Sequence, residues 1–407
     1  MTGPAELATA ARRNLVLLAA GMAALYGMVE LAFGAATLTF EETGGTSELA
    51  GFAPAAFLAC AGLAAVPAGR AMDRRGRRPI LAGGFATGLA GSLVAAVAVS
   101  IGSLPLAMAG FALTGAATGT VLLSRAAAAD MFPPERRPRA IAQVLFGAVF
   151  GALLGPIVFS PLLEGGAGGS ALDAAWLGAA GFMLAGLIVV LRLDPDPQEI
   201  ARALGSGEPR EAGPSVALWR IASRPGVAPA LVAVLASWAG MVAVMALIGA
   251  ALVDHGHSHG AVFPVLSAHF VGMFALFAVV GQVIERIGRV PAIVAGLLLL
   301  AASSVALLIA VDSIVLAALV LFGVGLGWNL SFVAATAELA ERAEPGERAT
   351  LIGLSDLLGD VTGATLVVAG GLALEAVGLA AVCLGAAVLP VLAAIWSVRE
   401  PAPAGAV

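Results

Sequence analysis

The sequence predicts an all-α membrane protein with twelve transmembrane helices in two repeated halves of six. Three observations carry this. First, 60% of the 407 residues are hydrophobic and 12% are charged. A soluble domain carries about 25% charge, and this much apolar surface does not fit one water-soluble core. Second, apolar stretches of about 20 residues, long enough to cross the hydrocarbon layer, recur along the chain. Third, a motif of glycine and charge occurs twice at a constant spacing. Gly69, Asp73, Arg74, Gly76 and Arg77 return as Gly281, Glu285, Arg286, Gly288 and Arg289, each 212 residues later.

The twelve predicted spans are approximately 14–38, 49–69, 79–101, 104–124, 140–162, 171–192, 226–253, 261–284, 290–311, 314–336, 349–372 and 376–397. Many are rich in Gly and Ala, which allow helix backbones to approach closely in lipid. Strand-type alternation is absent, which argues against a barrel. The segment from Met1 to Arg13 lacks a signal-cleavage pattern, so the first span is expected to be retained. Cys60 and Cys383 both lie in apolar segments and make neither a disulfide framework nor a metal site.

Arginine sets the orientation. There is no lysine, and the basic total is 21. With the N-terminus inside, every arginine falls on the cytoplasmic side, including Arg12, Arg13, the Arg70–Arg78 run, Arg125, Arg286, Arg289, Arg342 and Arg348. The opposite loops hold Glu41, Glu42, Glu48, Glu164, Asp173, Asp254, Asp312 and Glu375 and no arginine. This positive-inside pattern predicts both termini in the cytoplasm of a multi-pass protein of the cell membrane.

The polar stretch Leu193–Pro225 separates six spans from six. It divides the chain into an N-terminal half, 1–192, a cytoplasmic linker, 193–225, and a C-terminal half, 226–407. A soluble catalytic domain needs more residues than the linker offers. The repeat also extends beyond the opening motif: Pro133-Pro134-Glu135-Arg136 answers Pro345-Gly346-Glu347-Arg348, again 212 residues on. Internal repeats of this kind build secondary transporters.

With this span count, linker and repeat, the chain resembles the major facilitator superfamily. Gly69 to Arg78 is similar to that superfamily's signature loop between spans 2 and 3, with a degenerate copy between spans 8 and 9. The resemblance implies two six-helix bundles that rock around a central cavity. It implies that Asp73 approaches the N-terminus of span 11, where the helix dipole favours an anion. Arg74 and Arg77 are then expected to pair with acidic groups, Asp130 being the candidate. Gly69, Asp73, Arg74, Gly76, Arg77 and Asp130 would together latch the cytoplasmic side. The alternative is that these arginines only fix topology. In span 5, Gly147, Gly151, Gly155 and Pro156 partly resemble the glycine-rich element of antiporters in the family. Phe159 and Ser160 stand where that element continues with glycine, so plain small-residue packing is the other reading.

Ionisable groups inside spans are costly and mark pathways. Glu30 lies in span 1, four residues after Tyr26 and on the same helix face. Asp356 and Asp360 share a face of span 11, where two like charges disfavour double ionisation. His269 lies in span 8. These four are the candidates for proton coupling, against structural roles as hydrogen-bonding groups or, for Asp356, a pair with arginine at the mouth. Tyr26, Trp238, Met273, Trp328 and Asn329 are candidates to line a substrate cavity, against ordinary interhelical packing. Asp254-His255-Gly256-His257-Ser258-His259 has the composition of a metal site, but adjacent ligands on a Gly-rich turn make only a weak one, and no metal is assigned.

No phosphate-binding loop is present, there being no lysine to complete one. The expectation is a secondary transporter rather than an enzyme, with no cofactor and no nucleic-acid partner, working as a monomer in the lipid bilayer. It is expected to move a small amphipathic compound outward in exchange for protons. The alternatives are a proton- or ion-coupled importer of a nutrient or metal cation, and a non-transporting membrane sensor or scaffold.

Overall fold

The computed structural model describes residues 4–46, 49, 52–164, 169–204, 217–257, 262–344 and 346–399. The described chain is almost entirely helical. The helices are α1 (Pro4–Glu42), α2 (Phe52–Arg75), α3 (Arg77–Ile101), α4 (Leu104–Val121), α5 (Ser124–Asp130), α6 (Arg137–Glu164), α7 (Gly169–Val190), α8 (Pro197–Ala203) and α9 (Leu218–Ala222). They continue as α10 (Val227–Asp254), α11 (Val262–Phe270), α12 (Phe277–Ile287), α13 (Arg289–Ala310), α14 (Ile314–Arg342) and α15 (Arg348–Arg399). A π-helical turn, Val271–Ala275, joins α11 to α12, and α15 is broken at Gly378. Among the described residues nine helices are long and apolar enough to cross a membrane, or ten if one bent pair counts as a single span. Large apolar side chains such as Val16, Leu63, Val97, Ile309 and Leu319 stand exposed on them. Lipid accepts such a surface and water does not.

Packing divides the chain into two compact units. The first is Met1–Gly213 with Ala343–Ala364, and the second is Pro214–Arg342 with Thr365–Val407. The sequence repeat divides it differently, because 343–364 belongs to the C-terminal half by sequence yet packs with the first unit. Two kinds of contact hold it there: the charged groups described below, and close backbone approach of α2 to α15 at Gly62, Gly69 and Gly353.

In the first unit α1 packs on α6 and α7, α3 on α4 and α7, and α2 on α4. The α1–α6 contact is a backbone approach. A Cβ at Gly147 would strike the Ala19 carbonyl, and one at Gly151 would meet Ala23 and Gly27. Only glycine permits this spacing, and in lipid such contact drives helix association. The surroundings of Gly155 and Pro156, further along α6, lie outside the described residues.

In the second unit α14 is central, packing on α13, α10, α11 and the π turn. Its aromatic residues form a cluster. Trp328 and Phe332 stack with ring centroids 4.8 Å apart. Trp238 of α10 meets Trp328 edge-on at 5.4 Å, and Phe274 of the π turn approaches Trp328 at 6.4 Å.

The repeat is visible in the backbone. Gly76 precedes α3 with φ 96° and ψ 168°. Gly288, 212 residues later, precedes α13 with φ 90° and ψ 160°. The expected loop Gly69–Pro79 is therefore a single residue, since α2 runs to Arg75 and α3 starts at Arg77. A side chain in this extended positive-φ region costs about 1–3 kcal/mol, which explains glycine at both positions. At Gly76 a Cβ would also lie 2.9 Å from Asp196 Oδ2, whereas at Gly288 the nearest atom is 3.6 Å away, on Pro291. Gly288→Ala is thus expected to cost about 1–3 kcal/mol and Gly76→Ala distinctly more. Unfolding midpoints in detergent check this, and equal losses would refute the added collision with Asp196.

Candidate functional site

The first unit gathers its charges into two layers. The outer layer joins the ends of α2, α3 and α5 to the start of α15. Asp73 accepts hydrogen bonds from the backbone N–H of Ala349 (3.2 Å) and Thr350 (2.8 Å) and from the Thr350 hydroxyl (2.7 Å). It thereby caps α15 from another helix, where unpaired N–H groups and the helix dipole favour a carboxylate. The Arg77 guanidinium donates to Asp73 at 2.8 Å and to Asp130 at 2.8 Å, and Arg348 donates to the other oxygen of Asp130. Two carboxylates thus face two guanidiniums, all with buried side chains. The close approach of α2 to α15 needs Gly69, where a Cβ would collide with the Ala349 carbonyl and lie 2.9 Å from the Thr350 Cα. Arg74, grouped with Arg77 by the signature resemblance, is exposed and makes no ion pair among the described residues.

A residue outside the sequence-derived set completes this layer. Asp196 accepts from the backbone N–H of Arg77 (3.0 Å), Arg78 (2.8 Å) and Gln198 (2.8 Å), so it caps both α3 and its own helix α8. Gln198 Nε2 then donates to the Asp73 carbonyl at 2.9 Å. A negative charge here also offsets the arginines at the start of α3, an end where cations are unfavourable. The signal was present in sequence: Asp before a Pro that opens a helix marks an N-cap.

The inner layer lies further along α15. Counting from Arg348 at 1.5 Å per residue, Asp356 is ~12 Å and Asp360 ~18 Å along the helix. Arg125 of α5 is fully buried. It donates to the carboxylate of Asp356 and to the Leu122 carbonyl at 2.8 Å. The orientation reading placed Arg125 among the loop arginines; here it is an interior group. Its partner is 231 residues away in sequence, which local pattern cannot supply. The buried run Ala126–Ala129 beside it was the available sign that this stretch is packed rather than solvated. Tyr26 and Glu30 stand one turn apart on α1, in the same unit. Among the described residues the side chains of Glu30 and Asp360 have neither a hydrogen bond nor an ion pair, and Asp356 Oδ2 has no hydrogen-bond partner.

The second unit holds the remaining candidates. His269 is fully buried and its Nδ1 lies 3.1 Å from the Leu321 carbonyl. A carbonyl only accepts, so Nδ1 carries the proton and Nε2 is left as an acceptor. Asn329 donates to the Gly272 carbonyl at 3.4 Å. Met273 and Trp328 are buried. Trp238, Trp328 and Met273 therefore sit in or beside the α10–α14–π-turn packing. This unit also has its own charged layer, absent from the sequence-derived set. Glu338 accepts from Arg289 at 2.7 Å and from Arg342 at 2.6 Å, and Arg342 donates to the Pro225 carbonyl at 3.0 Å. Arg289 is the repeat partner of Arg77. Glu338 stands one helical turn away from the position that answers Asp130, so searching one turn either side of the 212-residue offset would have found it. In the His-rich turn, His255 Nδ1 and His257 Nε2 each lie against a backbone carbonyl, and His259 lies outside the described residues. Among the described residues no group of three ligating side chains converges for a metal ion.

Comparison with known proteins places this geometry in a family. A family model described as Major Facilitator Superfamily matches residues 17–367. The chain is similar to YdeG, an uncharacterized MFS-type transporter of Bacillus subtilis, with 31% identity over 348 residues, covering 82% of this chain and 81% of that protein. It is also similar to the riboflavin transporter RfnT of Brucella anthropi, with 27% identity over 355 residues and 86% of each chain covered. In fold it matches the proton:xylose symporter XylE with a TM-score of 0.78 at 16% identity, over 96% of both chains. It likewise matches the human organic anion transporter MFSD10 with a TM-score of 0.75 at 17% identity, over 97% of this chain and 100% of the other.

The Arg125–Asp356 pair yields a stability test. Removing one member leaves an uncompensated buried charge, a loss of about 3–5 kcal/mol, whereas replacing both with apolar groups is often tolerated. Arg125→Leu and Asp356→Leu are each expected to lower the unfolding midpoint strongly, and the double variant to recover most of the loss. Additive losses would show that the two side chains contribute independently.

Proposed function

This chain belongs to the Major Facilitator Superfamily, and from that membership we propose that it exports a small amphipathic compound in exchange for protons by alternating access. The family makes it a multi-pass membrane transporter of small molecules rather than an enzyme. In the proposed reading it resides in the cell membrane with both termini in the cytoplasm. The observation that carries the proton part is the inner layer. Asp356 and Asp360 are buried on α15, with Arg125 against Asp356, and Glu30 lies on α1 of the same unit. Asp356 is engaged by Arg125, which leaves Glu30 and Asp360 as the groups able to take up and release a proton. His269 is tied to a backbone carbonyl through Nδ1, and a proton role for it has less support than for the two acids.

The outer layer supports the latch reading. Asp73 holds the start of α15, the helix that carries Asp356 and Asp360, so the state of the gate and the state of the acids act on one element. A second reading is import: one relative is named a riboflavin transporter and one structural neighbour a proton:xylose symporter.

Reconstitution in liposomes under an imposed pH gradient tests the proposal. Substrate-driven proton flux is expected to fall about tenfold or more in Glu30→Gln and in Asp360→Asn. Asp73→Asn is expected to slow turnover while leaving substrate affinity within about twofold, since the change spares the inner layer. Undiminished flux in both acid variants sinks proton exchange. Accumulation inside right-side-out vesicles favours import.

A further inference from the structure

The second unit carries its His-rich turn at the end opposite its charged layer. The turn follows α10 at Asp254 and meets the segment before α14, whereas Glu338 lies ~36 Å along α14 from its start at Ile314. The backbone of the turn is fixed. Gly256 takes φ 83°. The His255 N–H donates to the Ala251 carbonyl at 3.2 Å, and the His257 N–H reaches back to the Leu252 carbonyl at 3.0 Å. This is a glycine-closed helix end, in which the residue after the glycine turns its N–H back onto the last turn. Each imidazole is then tied by one nitrogen. His255 Nδ1 lies 2.7 Å from the Ala251 carbonyl, and His257 Nε2 lies 3.0 Å from the Val311 carbonyl between α13 and α14. A carbonyl only accepts, so these two nitrogens carry the protons, and His255 Nε2 and His257 Nδ1 keep their lone pairs.

We propose that His255 and His257 form a surface site for a divalent transition metal ion of the zinc and copper group. A ring N–H given to a backbone carbonyl is the arrangement that orients metal-bound histidines and raises the basicity of the other nitrogen. Imidazole suits zinc and copper(II), and a turn without cysteine does not select softer ions. The charge nearby favours a cation. Asp254 precedes His255 and Asp312 follows Val311, both exposed, and no arginine lies between Arg224 and Arg286 or between Arg289 and Arg342. Among the described residues no third side chain converges, so water completes the coordination. Two protein ligands make a site that fills and empties with the metal around it, unlike the closed four-ligand sites that hold a structural ion. Bound metal would tie the end of α10 to the α13–α14 turn through His257. The site shares no residue with the embedded acids or the latch, and stands whether or not protons are exchanged.

The test titrates the purified full-length protein, free of any polyhistidine tag, with zinc chloride by calorimetry. One saturable site is expected, with a Kd on the order of micromolar. His255→Ala and His257→Ala should each weaken it about tenfold or more, and the double variant should abolish it. Gly256→Ala keeps both ligands but strains the turn, and should weaken zinc about threefold or more. Affinity should fall as the pH is lowered through about 6.5, where imidazole takes up protons. With copper(II) as the probe, the paramagnetic resonance spectrum of the unsubstituted protein should show two coupled nitrogens. That spectrum decides the ligand set even where a variant does not fold. Absence of saturable zinc binding, affinity unchanged in both single histidine variants, or a copper spectrum without two nitrogens overturns the proposal. So does an equal loss in His255→Ala, His257→Ala and His259→Ala with no effect of Gly256→Ala, the pattern of a histidine cluster acting by composition alone.

Discussion

The cost of placing charge inside lipid governs the first unit. Each ionised side chain there must meet an opposite charge or a helix end, because neither lipid nor packed alkyl chains can solvate it. The outer layer meets this demand completely. Asp73 has the N-terminus of α15 and Arg77, while Asp130 has Arg77 and Arg348. Asp196 adds a cap for α3. Because Asp73 and Asp130 lie on α2 and α5 and their partners lie on α15, satisfying the charges also fixes where α15 starts. These pairs, with the backbone contacts of α2 and α15 at Gly62, Gly69 and Gly353, tie Ala343–Ala364 to the first unit although it belongs to the second sequence repeat.

The inner layer obeys the same rule only in part. Arg125 and Asp356 neutralise each other, and the carboxylates of Asp360 and Glu30 remain without protein partners among the described residues. A closed layer near the helix ends and an open one deeper along the same helix make a physically sensible division. Fully satisfied networks rigidify what they hold, while unsatisfied ones call for a ligand or a proton. Both layers act on α15, so a change in charge at Asp360 bears on the element whose start Asp73 caps.

Much of this was legible in the chain. The 212-residue offset gave the repeat, and the backbone repeats it at Gly76 and Gly288, which share a positive φ that side chains avoid. Glu30, Asp356 and Asp360 stood out because acids in apolar runs have few ordinary explanations. Gly147 and Gly151 stood out by their spacing, and they are where α6 meets the α1 backbone. Arg125 did not stand out, because an arginine near a predicted span end looks like a topology signal. Glu338 was hidden by a one-turn shift in the repeat. Asp196 was hidden inside a stretch taken for a linker, despite its N-cap signature.

The sequence by itself determined the class of the molecule: how many apolar stretches it has, where its positive charges concentrate, and that it is built twice from one plan. Those properties depend on composition and period, which are local and additive along the chain. Only the tertiary structure decided which charges meet. Asp73 with Thr350, Asp130 with Arg348 and Arg125 with Asp356 are separated by 277, 218 and 231 residues. Attraction between charges in a low dielectric depends on distance in space and not on order in the chain. The difference between a topology-setting arginine and a buried counter-ion therefore appears only once the helices are packed.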